Sequence, residues 1–350
     1  MVDGRVGMRP AAPDCPSPDA TSINNLLRAN SRERLYVLPI CWTLRQPRLL
    51  GCHFTLEKIR WGKGDPPSKS VVQILRDQHP AYKSPIYAIA QLTLPGTLAA
   101  KKCDVANILR CYNLFSLGPD SSLSFSFAQR EAALLPTDGI FAPPGAPPSL
   151  AYITFDFIQT LRKKTVYRPP GGRRNRPVVN LHQKRLRSLE PPNPAEDPYL
   201  IAMLIALAQA QRRQADTGER YDGQSTAHRQ PRARTASAMD GMVPRAPCLC
   251  GPEIGKTIQR AVQSFQVTVL ATAGTVTECF YVYTATIPTE FLDRLDAPAQ
   301  PLRSLPVPVK YFRIPLMPAR KALGKLHHLV CNGTCPLCVE EVHAGSGRAD

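Results

Sequence analysis

Ten consecutive apolar residues at 199–208 follow Asp197-Pro198 and run into the polar stretch QAQRRQ. A carboxylate just ahead of a helix accepts from free first-turn amides, and the fixed φ of proline suits the first helical position, so Asp197 and Pro198 mark a helix start. Arg212 and Arg213 stand where cations suit the far end of the helix dipole. A helix that is apolar on every side must run through an interior with neighbours all round it. The run is too short for a bilayer, whose crossing takes about 20 residues, so no membrane span is expected.

The sequence after this helix predicts the elements that pack on it. FQVTVLAT (265–272) and ECFYVYTATIP (278–288) alternate at period two around Gly274, the pattern of an antiparallel hairpin. EFLDRLD reads as a short helix capped at Thr289, with Asp293 and Asp296 on its solvated side. VPVKYFRIPLMP reads as an edge strand, because Pro308 and Pro315 cannot donate to a ladder. ARKALGKLHHLV places Leu323, Leu326 and Val330 on one helical stripe. Upstream, residues 35–44 and 51–61 read as two strands of a hairpin bent at Gln46-Pro47, 68–79 as a helix, 84–96 as a strand closed by Pro95-Gly96, and 103–115 as a helix opening near Asp104. DGIFAPPGAPPS reads as a spacer. Runs of this order predict an α+β fold, a mainly antiparallel sheet with a central buried helix, plus disordered tails and insertions.

Thirty-six prolines and 21 glycines without a repeat period require long irregular segments between the ordered ones. The expected organisation is a disordered tail at 1–30, an N-terminal α+β part at 31–160 and a basic Pro/Gly-rich arm at 161–195. A C-terminal α+β part at 196–330 follows, interrupted by a flexible insertion at 216–264, and a Cys-containing tail occupies 331–350. Eleven cysteines, an odd number, and an N-terminus without an apolar stretch point to a nuclear or cytoplasmic protein that is not secreted.

Charge is concentrated. The chain carries +17, and residues 161–190 alone hold ten Lys and Arg against one acid, Glu190. Arg162, Lys163, Lys164, Arg173, Arg174, Arg176, Lys184, Arg185 and Arg187 are therefore the expected contacts to nucleic acid or an acidic partner, through phosphate neutralisation and counterion release. Tyr167 is the only aromatic residue of this segment, so no stacking platform for single strands is expected. Lys163-Lys164 and Arg173-Arg174 also suit a nuclear import signal.

His328, Cys331, Cys335 and Cys338 form a candidate zinc site, since imidazole and thiolate are the ligands zinc takes in a tetrahedron. All four lie within a short span, whereas structural zinc sites usually join two separate knuckles. Gly251 to Gly255 before Lys256-Thr257 has three intervening residues where a phosphate-binding loop needs four, and no buried strand precedes it. A nuclease-like arrangement would place Asp156 or Glu278 at a metal, but the lysine that should stand two positions beyond Glu278 is Phe280. No Ser/His/Asp or Cys/His set can be assembled, so catalysis is not assigned.

The block DPYLIAMLIALAQAQRR, followed by VTVLAT and YVYTATIPTEFLDRLDAP, resembles a group of filamentous-fungal proteins of no known function. The likeness covers 196–215 and 265–316, about a fifth of the chain. It implies a shared fold unit in which helix and hairpin follow closely, leaving 216–264 outside the domain. It implies no activity, cofactor or catalytic residue. The sequence thus predicts a non-catalytic domain with a basic arm, the alternative being a metal-dependent, degenerate nuclease-like or zinc-stabilised protein.

Overall fold

The computed structural model describes residues 22–31, 36–59, 84–118, 121–167, 176–217, 263–274, 276–302 and 305–331. Helix α1 (Ile23–Ala29) is followed by a 3-10 turn at Pro39–Cys41, α2 (Arg45–Leu50) and strand β1 (Cys52–Leu56). Next come α3 (Pro85–Thr93), α4 (Leu98–Arg110), β2 (Phe115–Ser116), β3 (Ser122–Phe127), β4 (Arg130–Pro136), β5 (Gly139–Ala142) and β6 (Leu150–Thr154). Three helices, α5 (Phe155–Val166), α6 (Arg176–Leu189) and α7 (Pro198–Thr217), lead to β7 (Ser264–Thr272) and β8 (Cys279–Pro288). Helix α8 (Thr289–Asp296), β9 (Val307–Pro315) and α9 (Ala319–Cys331) complete the order.

Seven strands form one sheet in the order β1-β9-β8-β7-β6-β5-β2, and β3 and β4 form a separate hairpin. The fold is α+β, but the sheet is mixed: β1 pairs β9 in parallel and β6 pairs β7 in parallel. Adjacent parallel strands need a long crossover, and α5, α6 and α7 supply it between β6 and β7. The two α+β parts expected at 31–160 and 196–330 interleave in this sheet, whose strands β1, β2, β5 and β6 come from one and β7, β8 and β9 from the other.

Both sheet faces are covered, which explains the near-continuous burial of β7 and β8. Val267, Val269, Tyr283 and Ala285 point to the side of α7, whereas Leu270, Phe280 and Val282 join α3, α4 and α9 on the other. Helix α7 is buried at every position from Pro198 to Gln209, as its all-round apolar sequence requires. It lies between the sheet and the β3–β4 hairpin. Gln209 explains how a polar residue ends that run: its side-chain oxygen accepts from the Ser126 amide at 2.9 Å and its Nε2 donates to the Ser126 carbonyl at 2.9 Å. The pair lies where the β3–β4 register shifts, so Gln209 serves Ser126 as a neighbouring strand would.

Several expectations are corrected. Within 84–96, expected as strand, Pro85–Thr93 form a helix, because Pro85, Ala88, Ile89 and Leu92 repeat at three and four and are all buried. The chain end of this helix is satisfied by Lys101, whose ammonium donates to the carbonyls of Gln91 (2.9 Å), Leu92 (2.6 Å) and Leu94. The helix expected at 103–115 starts at Leu98, where the Thr97 hydroxyl accepts from the Ala100 amide at 3.2 Å. In the expected strand at 35–44, Pro39 opens a 3-10 turn and α2 follows, so the described residues 36–44 hold no strand. Gly139–Ala142, expected as spacer, is buried strand. β9 is not an edge but lies between β1 and β8. Pro308 lies before the pairing with β8, which runs from Lys310 to Pro315, and Pro315 stands at the last position of that pairing, opposite Cys279. The tail expected at 1–30 contains α1. The helix expected at 68–79 lies outside the described residues, as do 218–262 of the expected insertion.

Candidate anion-binding face

The geometry starts from α5. The Thr154 hydroxyl accepts from the Phe157 amide at 3.3 Å to open the helix, and Phe155, Ile158, Arg162 and Val166 fall on its buried stripe. Arg162, expected on the exposed arm, is therefore only 2% exposed. Its Nη1 and Nη2 donate to the two carboxylate oxygens of Asp197, each at 2.6 Å, and its Nε donates to the Ile40 carbonyl at 3.2 Å. Asp197 also accepts from the Tyr199 amide at 2.9 Å, as a helix cap should. A charge this deep persists because it is paired and forked onto its partner. Arg162 is thus a structural residue rather than a surface contact.

The remaining cations face water. Lys163 and Lys164 near the end of α5, and Arg176, Lys184, Arg185 and Arg187 on α6, are exposed. The arm is thus largely helical where described, while Arg173 and Arg174 lie outside the described residues. Helix α6 holds four basic residues and no acidic one. It is anchored through Leu189, which is buried, and Leu186, which packs on the core.

Across from α6 stands α2. This short helix is set by a Thr43-x-x-Gln46 pattern in which the Gln46 side-chain oxygen accepts from the Thr43 amide at 2.8 Å. At its end Gly51 takes φ 85°, a left-handed cap that turns the chain into β1. Arg45 of α2 and Lys184 and Arg185 of α6 line a cleft of about 480 Å³. An adjoining cleft of about 470 Å³ shares Arg45 and Ser188 and adds Arg48 and Glu190. Four cations from two helices therefore converge, and Glu190 is the only carboxylate among the described lining residues. Burial pushes the Cys41 thiol in this cleft upward, with Arg185 and Arg162 pulling it back. Arg45 and Arg48 do not stand out in the sequence, because a strand expected at 35–44 hides the helix that follows; their spacing of three is the available signal.

His328 is exposed on α9 and Cys331 is the last residue of that helix, whereas Cys335 and Cys338 lie outside the described residues. Among the described residues no three His, Cys, Asp or Glu side chains gather as a cation site, so Asp156 and Glu278 belong to no such cluster. The Gly251–Thr257 loop is outside the described residues. Asp293 and Asp296, expected as a solvated face, both bond Arg212 of α7, the first at 3.1 Å. No described helix is long and apolar enough to cross a membrane. Comparison with protein-family models, with curated proteins and with solved structures finds no match at significance.

Proposed function

We propose that this protein is a non-catalytic binding protein whose α2–α6 face takes a phosphate-bearing polyanion, with nucleic acid the foremost example. The observation that carries the reading is the convergence of Arg45 and Arg48 with Lys184 and Arg185 on adjoining clefts. Lys163, Lys164, Arg176 and Arg187 add further exposed cations on α5 and α6. Such a surface neutralises phosphates and releases counterions, and phosphate contacts carry no sequence information, so binding is tolerant of sequence. The free thiols at Cys41, Cys52, Cys103, Cys111 and Cys279 support a reducing compartment, nuclear or cytoplasmic.

The test is fluorescence anisotropy with labelled single- and double-stranded oligonucleotides at about 50 mM salt, where such contacts are strong. The variant Arg45→Glu/Arg48→Glu/Lys184→Glu/Arg185→Glu, checked for unchanged circular dichroism, is expected to lose binding. Equal binding by this variant would remove the proposal.

A further inference from the structure

Behind the cationic face lies a chamber of different character. It has a volume of about 450 Å³, within the range of roughly 300–1,000 Å³ that small-molecule sites occupy. Leu27 of α1, Leu50 of α2, Phe125 and Phe127 of β3, Trp42 and Leu295 wall it. Trp42 is held by donating its indole N–H to the Val37 carbonyl at 3.2 Å and by an edge contact with Phe125 at 5.6 Å. Two large apolar residues also stand at this wall largely in water, Tyr36 at 78% and Leu38 at 51% exposure. Monomeric proteins rarely leave apolar groups clustered around an opening unless something docks there.

Arg185 carries the only formal charge among the described residues lining the chamber. It also lines the first cationic cleft, together with Val37, Cys41 and Gln46, so the two spaces adjoin at these four residues. Arg45 and Lys184 stand on the far side of that junction. An apolar chamber that ends in a cluster of cations matches one kind of molecule, with a hydrocarbon chain for the walls and an anionic head for Arg185. A neutral chain would gain nothing from the nearby cations, a cationic head would be repelled, and a bare phosphate would gain nothing from the walls. A carboxylate suits Arg185 in particular, because guanidinium forks onto two oxygens.

We infer that the chamber binds the tail of a monomeric long-chain carboxylate, with its head on Arg185. The site goes beyond the polyanion reading and shares only the cations at the junction with it. Trp42 reports on it directly, since a brominated chain quenches indole fluorescence only in close contact. The chain's other tryptophan is Trp61, and Trp61→Phe leaves Trp42 as the single reporter.

The experiment titrates Trp61→Phe protein with 9,10-dibromostearate below its micellar concentration. Saturable quenching at one equivalent is expected, and affinity for unbrominated competitors should fall roughly tenfold for every two carbons removed from the chain. Ala132 is exposed at the chamber wall, so Ala132→Phe fills the space from outside with little demand on the core. That variant should lose quenching while keeping its thermal transition and its oligonucleotide binding. Arg185→Gln should weaken the carboxylate about tenfold or more. Arg48→Glu should weaken the oligonucleotide and leave dibromostearate within about twofold, because Arg48 does not line the chamber. Absent or non-saturating quenching overturns the inference, as does equal binding by Ala132→Phe. A brominated alkyltrimethylammonium binding as tightly as the carboxylate also overturns it. So does quenching by brominated phosphatidylglycerol vesicles without quenching by the monomer, which would make the surface a membrane contact instead.

Discussion

Arg162 and Asp197 grip each other through two parallel contacts of 2.6 Å, and both are almost wholly buried. The pair ties the inner side of α5 to the first turn of α7, and the third donor of Arg162 reaches Ile40, beside the clefts. Removing one partner strands a buried charge, which costs about 3–5 kcal/mol. Asp197→Ala should therefore lower the urea midpoint sharply, whereas Arg162→Met/Asp197→Leu should recover most of the loss. A double variant as unstable as the single one would show that the charges themselves are required.

From within an apolar helix, Gln209 bonds both the backbone amide and the backbone carbonyl of Ser126. Gln209→Leu keeps the bulk but removes the partner of a half-buried amide and carbonyl, at up to about 1–3 kcal/mol for each group. Amide exchange at Ser126 should accelerate more than exchange in β7, because the hairpin and not the sheet loses its partner. Uniform acceleration would contradict this role.

Cys52 is 1% exposed at the start of β1, and burial raises its thiol to about 12 from an ordinary value of 9.0, Arg294 offsetting this only in part. Above pH 9 the unfolded chain releases a proton that the folded chain keeps. The thiol's contribution to stability is thus complete below that pH and declines as pH climbs towards 12. Relative to Cys52→Ala, the native protein should lose up to about 1.4 kcal/mol between pH 9 and pH 10, read from urea unfolding at each pH. Parallel pH curves for the two proteins would refute the shift.

Exposed cations should act through salt. Replacing Lys184 by Ala should weaken oligonucleotide binding similarly for unrelated sequences and reduce the slope of log K against log salt by about 1. Lys325→Ala on α9, whose residues line neither cationic cleft, should leave the slope unchanged. A sequence-dependent loss at Lys184 would instead indicate contact with bases.

What could be read in advance follows from how locally each element is determined. Helix α7 was legible because Asp197, Pro198 and an unbroken apolar run all indicate the same structure, and β7–β8 because period two is unambiguous there. At 84–96 the sequence favours a strand, because β-branched and aromatic side chains outweigh the spacing of Ala88, Ile89 and Leu92. The β3–β4 hairpin left no mark: its turn residues Ala128 and Gln129 take φ of 52° and 60°, a geometry usually announced by Asn or Gly. At the cationic face, Lys184 and Arg185 were visible as charge density. The inward turn of Arg162 required counting its register from Phe155, and the approach of α2 to α6 depends on packing between segments far apart in the chain.

The parallel pairing of β1 with β9 sets a schedule for biosynthesis. About 250 residues separate Leu56 from Val307, so at ribosomal speeds of about 5–20 residues per second the first strand waits roughly 12–50 seconds for its neighbour among the described strands. A nascent chain stalled before residue 307 therefore holds β8 with one bare flank. Such truncated products are the species on which chaperones should be found.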